Sequence, residues 1–435
     1  MRAQAATAAS ALRARIDTLR QSETAQAASL AIATIVQQLT AVVFTVVFTR
    51  ILGTDGYGSL AALINFTVIL IVPGSALQVA AARQGTLGRL GSGGELAATL
   101  ERWTRHILVA IAAVAVVSVL AREPLADLVN VEEEWAAAAM PVGAAVWLLV
   151  CVQRGLLQAA RAYRPVAISI VAEGVVRIAG SLVLVAAALE VTGAFLGLLV
   201  AWTLIAIVLG RLLRERLGEP ERTAEPHPLR ALARNAAVPT AGLVLVAALQ
   251  NVDVIMARHA LDEDAAGVYA ATTVAAKFIV WVSVGIGLWT LPEATRRAAA
   301  GLDPRPILAR ALGVVAAVAI PGLAIFAVVP GLLLRVAFGK DFESGEDVLL
   351  LLGAAFALLA VTFVTVQFLL GLHRRAFVLG LLVAAAVEPV LLWNADTLES
   401  FAVRVLALQA VTAAAIVVVG ALTRRDDHAD AEPLL

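Results

Sequence analysis

The chain predicts an all-α polytopic membrane protein of about twelve transmembrane helices, arranged in two pseudo-symmetric six-helix lobes. Three observations carry this. Of 435 residues, 61% are hydrophobic and 15% charged, against roughly 45–50% and 25% in soluble globular chains. Arginines concentrate in alternate loops. A hairpin stretch near the start, from Phe48 to Arg83, is echoed in the second half by NVDVIMARHALDEDAAGVYAATTVAAKF, from Asn251 to Phe278.

A membrane helix needs about 20 mainly apolar residues. That test places spans at roughly 25–51, 57–83, 103–122, 136–160, 165–189, 191–214, 229–257, 265–291, 306–328, 346–371, 374–394 and 399–423. The split between the fifth and sixth rests on Glu190-Val-Thr-Gly193 alone, and the ninth has the option of continuing past Pro330. Cytoplasmic loops carry the Lys/Arg excess. Loops after even-numbered spans are rich in arginine, with Arg83 and Arg89, Arg154 and Arg161, Arg211 to Arg222, Arg296 and Arg297, and Arg374 and Arg375 as examples. Loops after odd-numbered spans hold one or two basic residues or none. The bias never inverts along the chain, so both termini are expected in the cytoplasm.

The most polar linker follows span six. The expected organisation is therefore an Arg-rich cytoplasmic tail (1–24), an N-terminal lobe (25–214), a linker (215–228), a C-terminal lobe (229–423) and a second tail (424–435). Residues 1–24 lack the short apolar core of a signal peptide. Six spans per half restore the starting orientation, so the halves are related by an axis along the membrane normal, and substrate sites in such repeats lie at the interface between halves.

Several chemistries are excluded or unsupported. Net charge is zero, which argues against a nucleic-acid partner. The single cysteine, Cys151, rules out an intrachain disulfide. The five histidines are scattered, with no i, i+4 pair to hold a metal. The only lysines, Lys277 and Lys340, are followed by Phe278 and Asp341, so neither completes a Walker A motif. External segments are too short for a soluble catalytic domain. No cofactor and no catalytic residue is expected, and transport is the activity left.

Ionisable groups inside the spans are the natural site candidates, because each costs about 2.5–3.5 kcal/mol at a helix centre. Glu173 and Arg177 stand one helical turn apart and can pair; alternatively, Arg177 offers a bidentate donor to an anionic head group. Lys277, mid-span, has no carboxylate one turn away, so it lines a cavity or finds a partner on another helix. Glu388 and Asp253 are the deep carboxylates of the second half, candidates for coupling or for pairing with Lys277. Gln37 and Gln38, and Gln250 and Asn251, give each half's opening helix a polar pair, suited to the lobe interface or to interhelical hydrogen bonds. Arg50 and Arg258 end spans one and seven, as cavity contacts or as interfacial anchors. Gly53, Tyr57 and Gly58 in the first hairpin, and Gly267 and Tyr269 in the second, are the expected gate elements.

The hairpin FTRILGTDGYG carries the Arg-x-Leu-Gly-x-x-x-Tyr-Gly pattern of the Wzx-like polysaccharide flippases. These belong to the multidrug/oligosaccharidyl-lipid/polysaccharide (MOP) exporter superfamily, and the segment Asp253 to Tyr269 resembles that family's second-half hairpin. The resemblance implies two lobes around a V-shaped central cavity that opens alternately to each side, as in the MATE branch. It implies a substrate of polyprenyl-diphosphate-linked glycan in the bacterial plasma (inner) membrane, with Arg50, Arg177 and Lys277 meeting its anionic groups. Spans one, two, seven and eight would form the moving gate. Glycosyltransferases and a polymerase of the same pathway are the implied protein partners. The chain departs from the family in its few lysines and aromatics. Rival readings are a Na⁺- or H⁺-coupled exporter of the MATE branch, a major-facilitator transporter, and a non-transporting scaffold for glycan assembly. The segment Gly85 to Gly94 lacks the Asp that the major-facilitator motif needs.

Overall fold

A computed structural model describes residues 23–91, 93–221, 228–372 and 374–422. Most of the two expected tails, and the linker residues 222–227, lie outside this set. The described residues form helices joined by short turns, without strands. Among the described residues, nine helices are long and apolar enough to cross a membrane. Two of these are bent pairs, and with the shorter apolar helix Ala376–Leu392 they make up the twelve expected spans.

The first bent pair is α1 (Glu23–Thr86), broken at Gly53 with φ 71° and ψ −169°. Only glycine enters that region without strain, so Gly53 divides span one from span two. The second pair is α5 (Tyr163–Leu184) and α6 (Glu190–Leu217), joined by a π-helical turn at Val185–Leu189. Ala188 (φ 62°) and Glu190 (φ 41°) reverse the chain there, at the start of the tetrapeptide that marks the split. Small residues bring the two helices together: a methyl on Gly197 would fall 2.1 Å from Ser181 Oγ, and one on Gly193 would fall 2.8 Å from the Leu184 carbonyl carbon.

The remaining elements are α2 (Gly94–Leu120), α3 (Arg122–Val129), α4 (Glu134–Ala159), α7 (Leu229–Ala260), α8 (Glu263–Ala276), α9 (Phe278–Ala299), α10 (Arg305–Val328), α11 (Pro330–Ala337), α12 (Glu346–Gly371), α13 (Ala376–Leu392) and α14 (Leu398–Leu422). Span eight is thus two helices meeting at Lys277. Span nine stops at Val328, because Pro330 has no N–H to continue it and opens α11 instead.

The two lobes repeat one plan. Span four (α4) is the most buried of the first lobe, with 67% of its most apolar stretch buried, and span ten (α12, with the turn before it) is its counterpart at 61%. Span three (α2) and span nine (α10) are the least buried, at 17% and 22%. Each of these peripheral spans is followed by an eight-residue helix, α3 and α11. A buried hub and an exposed flank at the same place in each half is what a duplicated six-helix unit produces. The lobes meet mainly where α1 packs on α7 and α8.

Candidate functional site

At the end of the bundle bearing Gly53, the lobes are closed on one another. Gly58 and Gly267 approach backbone to backbone: a methyl on Gly58 would lie 3.2 Å from the Gly267 N and Cα, and one on Gly267 only 2.0 Å from the Thr54 carbonyl oxygen. Around this contact Thr54 Oγ1 donates to Asp264 Oδ1, and Arg258 Nη1 bonds Asp55 Oδ1 at 2.8 Å. Tyr57 is buried, edge-on to Phe342 at 6.2 Å. The expected gate residues Gly53, Tyr57, Gly58 and Gly267 all sit here. Tyr269 lies deeper, fully buried against Phe401 at 4.8 Å.

Each lobe's short helix receives the arginine that ends the other lobe's first span. Arg50 Nη2 donates to the Val336 carbonyl of α11 at 2.9 Å. Arg258 Nε donates to the carbonyl of Asn130, the residue capping α3, at 3.3 Å. The Asn130 side chain returns a bond to the Arg258 carbonyl, and His259 Nε2 lies 3.1 Å from the Leu128 carbonyl. Both arginines therefore meet C-terminal carbonyls, the negative end of a helix dipole. Glu133, at the start of α4, is half-buried beside this cluster. Burial raises its pKa above the usual carboxylate value, while a backbone N–H and the charge of Arg258 oppose the rise.

Deeper, at the lobe interface, Lys277 occupies the break between α8 and α9. It is 6% exposed. Its ammonium donates to Asn65 Oδ1 at 2.8 Å, from span two, and to Asn251 Oδ1 at 3.2 Å, from span seven. It also stands 5.6 Å from the centre of the Phe356 ring. Two neutral amides, one from each lobe, hold it. Its electrostatic neighbours are Asp253 and Glu388. Asp253 Oδ2 accepts from the Tyr269 hydroxyl at 2.8 Å, whereas Asp253 Oδ1 and both oxygens of the fully buried Glu388 have no hydrogen-bond partner. Gln250 is half-buried next to Asn251.

A polar cavity of about 260 Å³ lies within the first lobe and is lined by Gln37, Gln38, Thr67, Trp147, Glu173, Arg177 and Trp202 among others. Here the pairing expected from spacing is replaced. Glu173 gives Oε2 to Arg154 Nη2 at 2.9 Å and Oε1 to Trp202 Nε1 at 3.0 Å. Arg154, grouped with loop charges in the sequence reading, is 2% exposed inside span four and also bonds Ser169 Oγ at 3.0 Å. Arg177, released from Glu173, stacks 4.5 Å over the Phe44 ring, and its Nε has no partner.

Asn65 and Arg154 are the residues the sequence reading missed. Asn65 offered a signal, being the sole Asn, Gln or charged residue between Gly58 and Gln78. Arg154 offered the signal of its position, several residues inside the expected fourth span.

The model for polysaccharide biosynthesis proteins matches residues 24–288, more than half of the chain. Among solved structures, an inward-facing multidrug resistance MATE family transporter of the MOP superfamily superposes with a TM-score of 0.78 at 12% identity, covering 93% of this chain and 100% of that one. The lipid II flippase MurJ, in an inward closed conformation, gives 0.69 at 11% identity, covering 92% and 88%. A eukaryotic MATE transporter, AtDTX14, gives 0.60 at 14%, covering 93% and 97%. No curated protein sequence matches. A twelve-span, two-lobe bundle with its hairpin end shut is thus the MOP fold, and the chain is a multi-pass membrane protein of the polysaccharide biosynthesis protein family.

Proposed function

We propose that this protein moves a lipid-linked oligosaccharide or polysaccharide precursor across the bacterial plasma membrane by alternating access, for cell-surface glycan biosynthesis, and performs no catalysis of its own. The observation that carries this reading is Lys277: a buried cation at the lobe interface, bound to the neutral amides of Asn65 and Asn251. An ammonium held without a carboxylate in direct contact keeps its charge available for a diphosphate. Amides from opposite lobes would separate when the lobes rock, so occupancy and lobe position are linked. Arg177, aimed into the first-lobe cavity, supplies a second anion contact. The polyprenyl chain would remain in the bilayer between the lobes.

In this reading the moving bodies are residues 25–214 and 229–423, joined by 215–228. The arginine-rich ends of the spans and both termini face the cytoplasm, and the hairpin end is the external gate. Glycosyltransferases and a polymerase would act on the substrate before and after it crosses.

One observation favours a second reading. Glu388 and Asp253 are electrostatic neighbours of Lys277, and Asp253 Oδ1 and both Glu388 oxygens are left without hydrogen bonds. Carboxylates in that condition suit a proton or Na⁺, as in a cation-coupled exporter of the MATE branch. A coupling ion for glycan transport would use the same groups.

The test is deletion in the host followed by quantification of lipid-linked oligosaccharide in membrane extracts, with complementation by wild type, Lys277→Ala and Arg177→Ala. Accumulation that wild type clears and the variants do not supports glycan transport. If no lipid-linked sugar accumulates, the glycan assignment falls.

A further inference from the structure

A groove of about 1130 Å³ runs along the outer flank of the first lobe, walled by α2 and α6 and floored by α4. It is separate from the lobe interface: no residue of the second lobe lines it. From Ala97 to Ile111 it follows α2 for about 21 Å at 1.5 Å per residue, about the depth of one leaflet with its head groups. Its inner part is apolar, formed by Leu108, Ile111, Val142, Val146 and Leu149.

The mouth, at the arginine-rich end, differs in kind. Two arginines, Arg105 and Arg214, and two carboxylates, Glu101 and Glu219, line it together. Arg105 and Glu101 are paired at 2.9 Å yet remain 74% and 55% exposed. The segment Gly218–Pro220 closes the mouth from below, fastened by the Glu221 N–H donating to the Gly94 carbonyl at 3.0 Å. Just above it, Gln153 is 2% exposed. Its Nε2 donates to the Ala206 carbonyl at 3.0 Å, while its Oε1 has no hydrogen-bond partner. A buried amide oxygen left unsatisfied in a groove calls for a donor from outside the protein.

We propose that this groove is a phospholipid site specific for a head group carrying both a phosphate and a primary ammonium, as in phosphatidylethanolamine. The phosphate lies on Arg105 and Arg214, the ammonium on Glu101 and Glu219, and an acyl chain fills the apolar part. Balanced charge selects this class. A purely anionic head group places no cation against the two carboxylates. A choline head group has no N–H to give to them or to the Gln153 oxygen. The groove faces the bilayer and not the interface, so its occupant is a resident lipid and not the transported molecule.

The full chain, purified in mild detergent, is relipidated with phosphatidylethanolamine, phosphatidylcholine or phosphatidylglycerol, and retained lipid is read by native mass spectrometry. The wild type is expected to keep one phosphatidylethanolamine at about tenfold lower lipid concentration than either other lipid. Arg105→Ala/Arg214→Ala, at solvent-accessible positions, loses retention of all three. Glu101→Gln/Glu219→Gln abolishes the preference over phosphatidylglycerol. Leu108→Trp/Ile207→Trp, filling the groove from two exposed positions, expels lipid without lowering the melting temperature. Equal retention of the three lipids by wild type, no retention at all, or undiminished retention by the double-alanine variant overturns the proposal.

Discussion

Arg50 and Arg258 occupy equivalent places, each ending the first span of its lobe, and each crosses to the short helix of the other lobe. Arg50 meets the Val336 carbonyl at 2.9 Å and Arg258 the Asn130 carbonyl at 3.3 Å. The hairpin end is therefore latched twice, by reciprocal contacts that a pseudo-twofold relation makes possible. The two latches are unequal. Arg258 is nearly buried and also pairs with Asp55, whereas Arg50 is exposed.

That inequality predicts unequal mutants. Arg258→Ala should open the hairpin end far more than Arg50→Ala. Losing hydrogen bonds made by a buried charge costs about 1.5–3 kcal/mol, whereas exposed contacts contribute about 0–1 kcal/mol. Spin labels on cysteines at Ile51 and Leu332, both exposed and on opposite lobes, report the distance. The native Cys151 is fully buried and should escape labelling. Exchanging the Asp55 and Arg258 charges together should recover the short distance that each single reversal loses.

Gly267→Ala should spread the same labels and Gly58→Ala should do so less. The first methyl meets backbone at 2.0 Å, and the second meets it at 3.2 Å. Overpacking costs roughly 1–3 kcal/mol, enough to shift a two-state gate by about 5- to 150-fold. Equal distances in wild type and Gly267→Ala would show that the closure does not depend on this contact.

Acid should tighten the closed gate through Glu133. Burial raises its pKa above the usual 4.5 in the closed state, and an open gate would hydrate it and return it toward that value. The closed state then binds the proton more tightly. Closure is most favoured below the ordinary value and loses that advantage as pH rises through the raised one. Arg258, Asp55 and Glu132 act on the same carboxyl, so the slope is expected to be shallow. Glu133→Gln should remove it from the label-distance titration.

Asn65→Asp should slow transport by about tenfold or more, since a carboxylate 2.8 Å from the Lys277 ammonium adds a cross-lobe ion pair in a low-dielectric site. Asn65→Ala should not. Clearance of lipid-linked oligosaccharide in complemented cells measures the difference.

In the first lobe, Arg154→Ala should lower stability strongly, by about 3–5 kcal/mol, because it strands the buried Glu173 carboxylate. Replacing both with well-packed apolar residues, Arg154→Met/Glu173→Leu, should recover most of that loss. Thermal unfolding in detergent is the measurement. A double variant as unstable as the single would contradict the pair's role.

Much of the architecture was legible in the chain because it depends on local information. Twenty apolar residues in a row mark a span wherever they occur, Gly53 can turn the chain because it lacks a Cβ, and Pro330 ends a helix because it lacks an N–H. The repeat showed in two short hairpins for the same reason. Partner choice did not show. Spacing put Arg177 one turn from Glu173, yet Glu173 pairs with Arg154 from another helix. Lys277 called for a partner, and Asn65, from the opposite lobe and remote in the chain, met it together with Asn251. Sequence spacing determines which face of a helix a side chain occupies. Which faces then meet, and hence which charge answers which, is decided only when the helices pack.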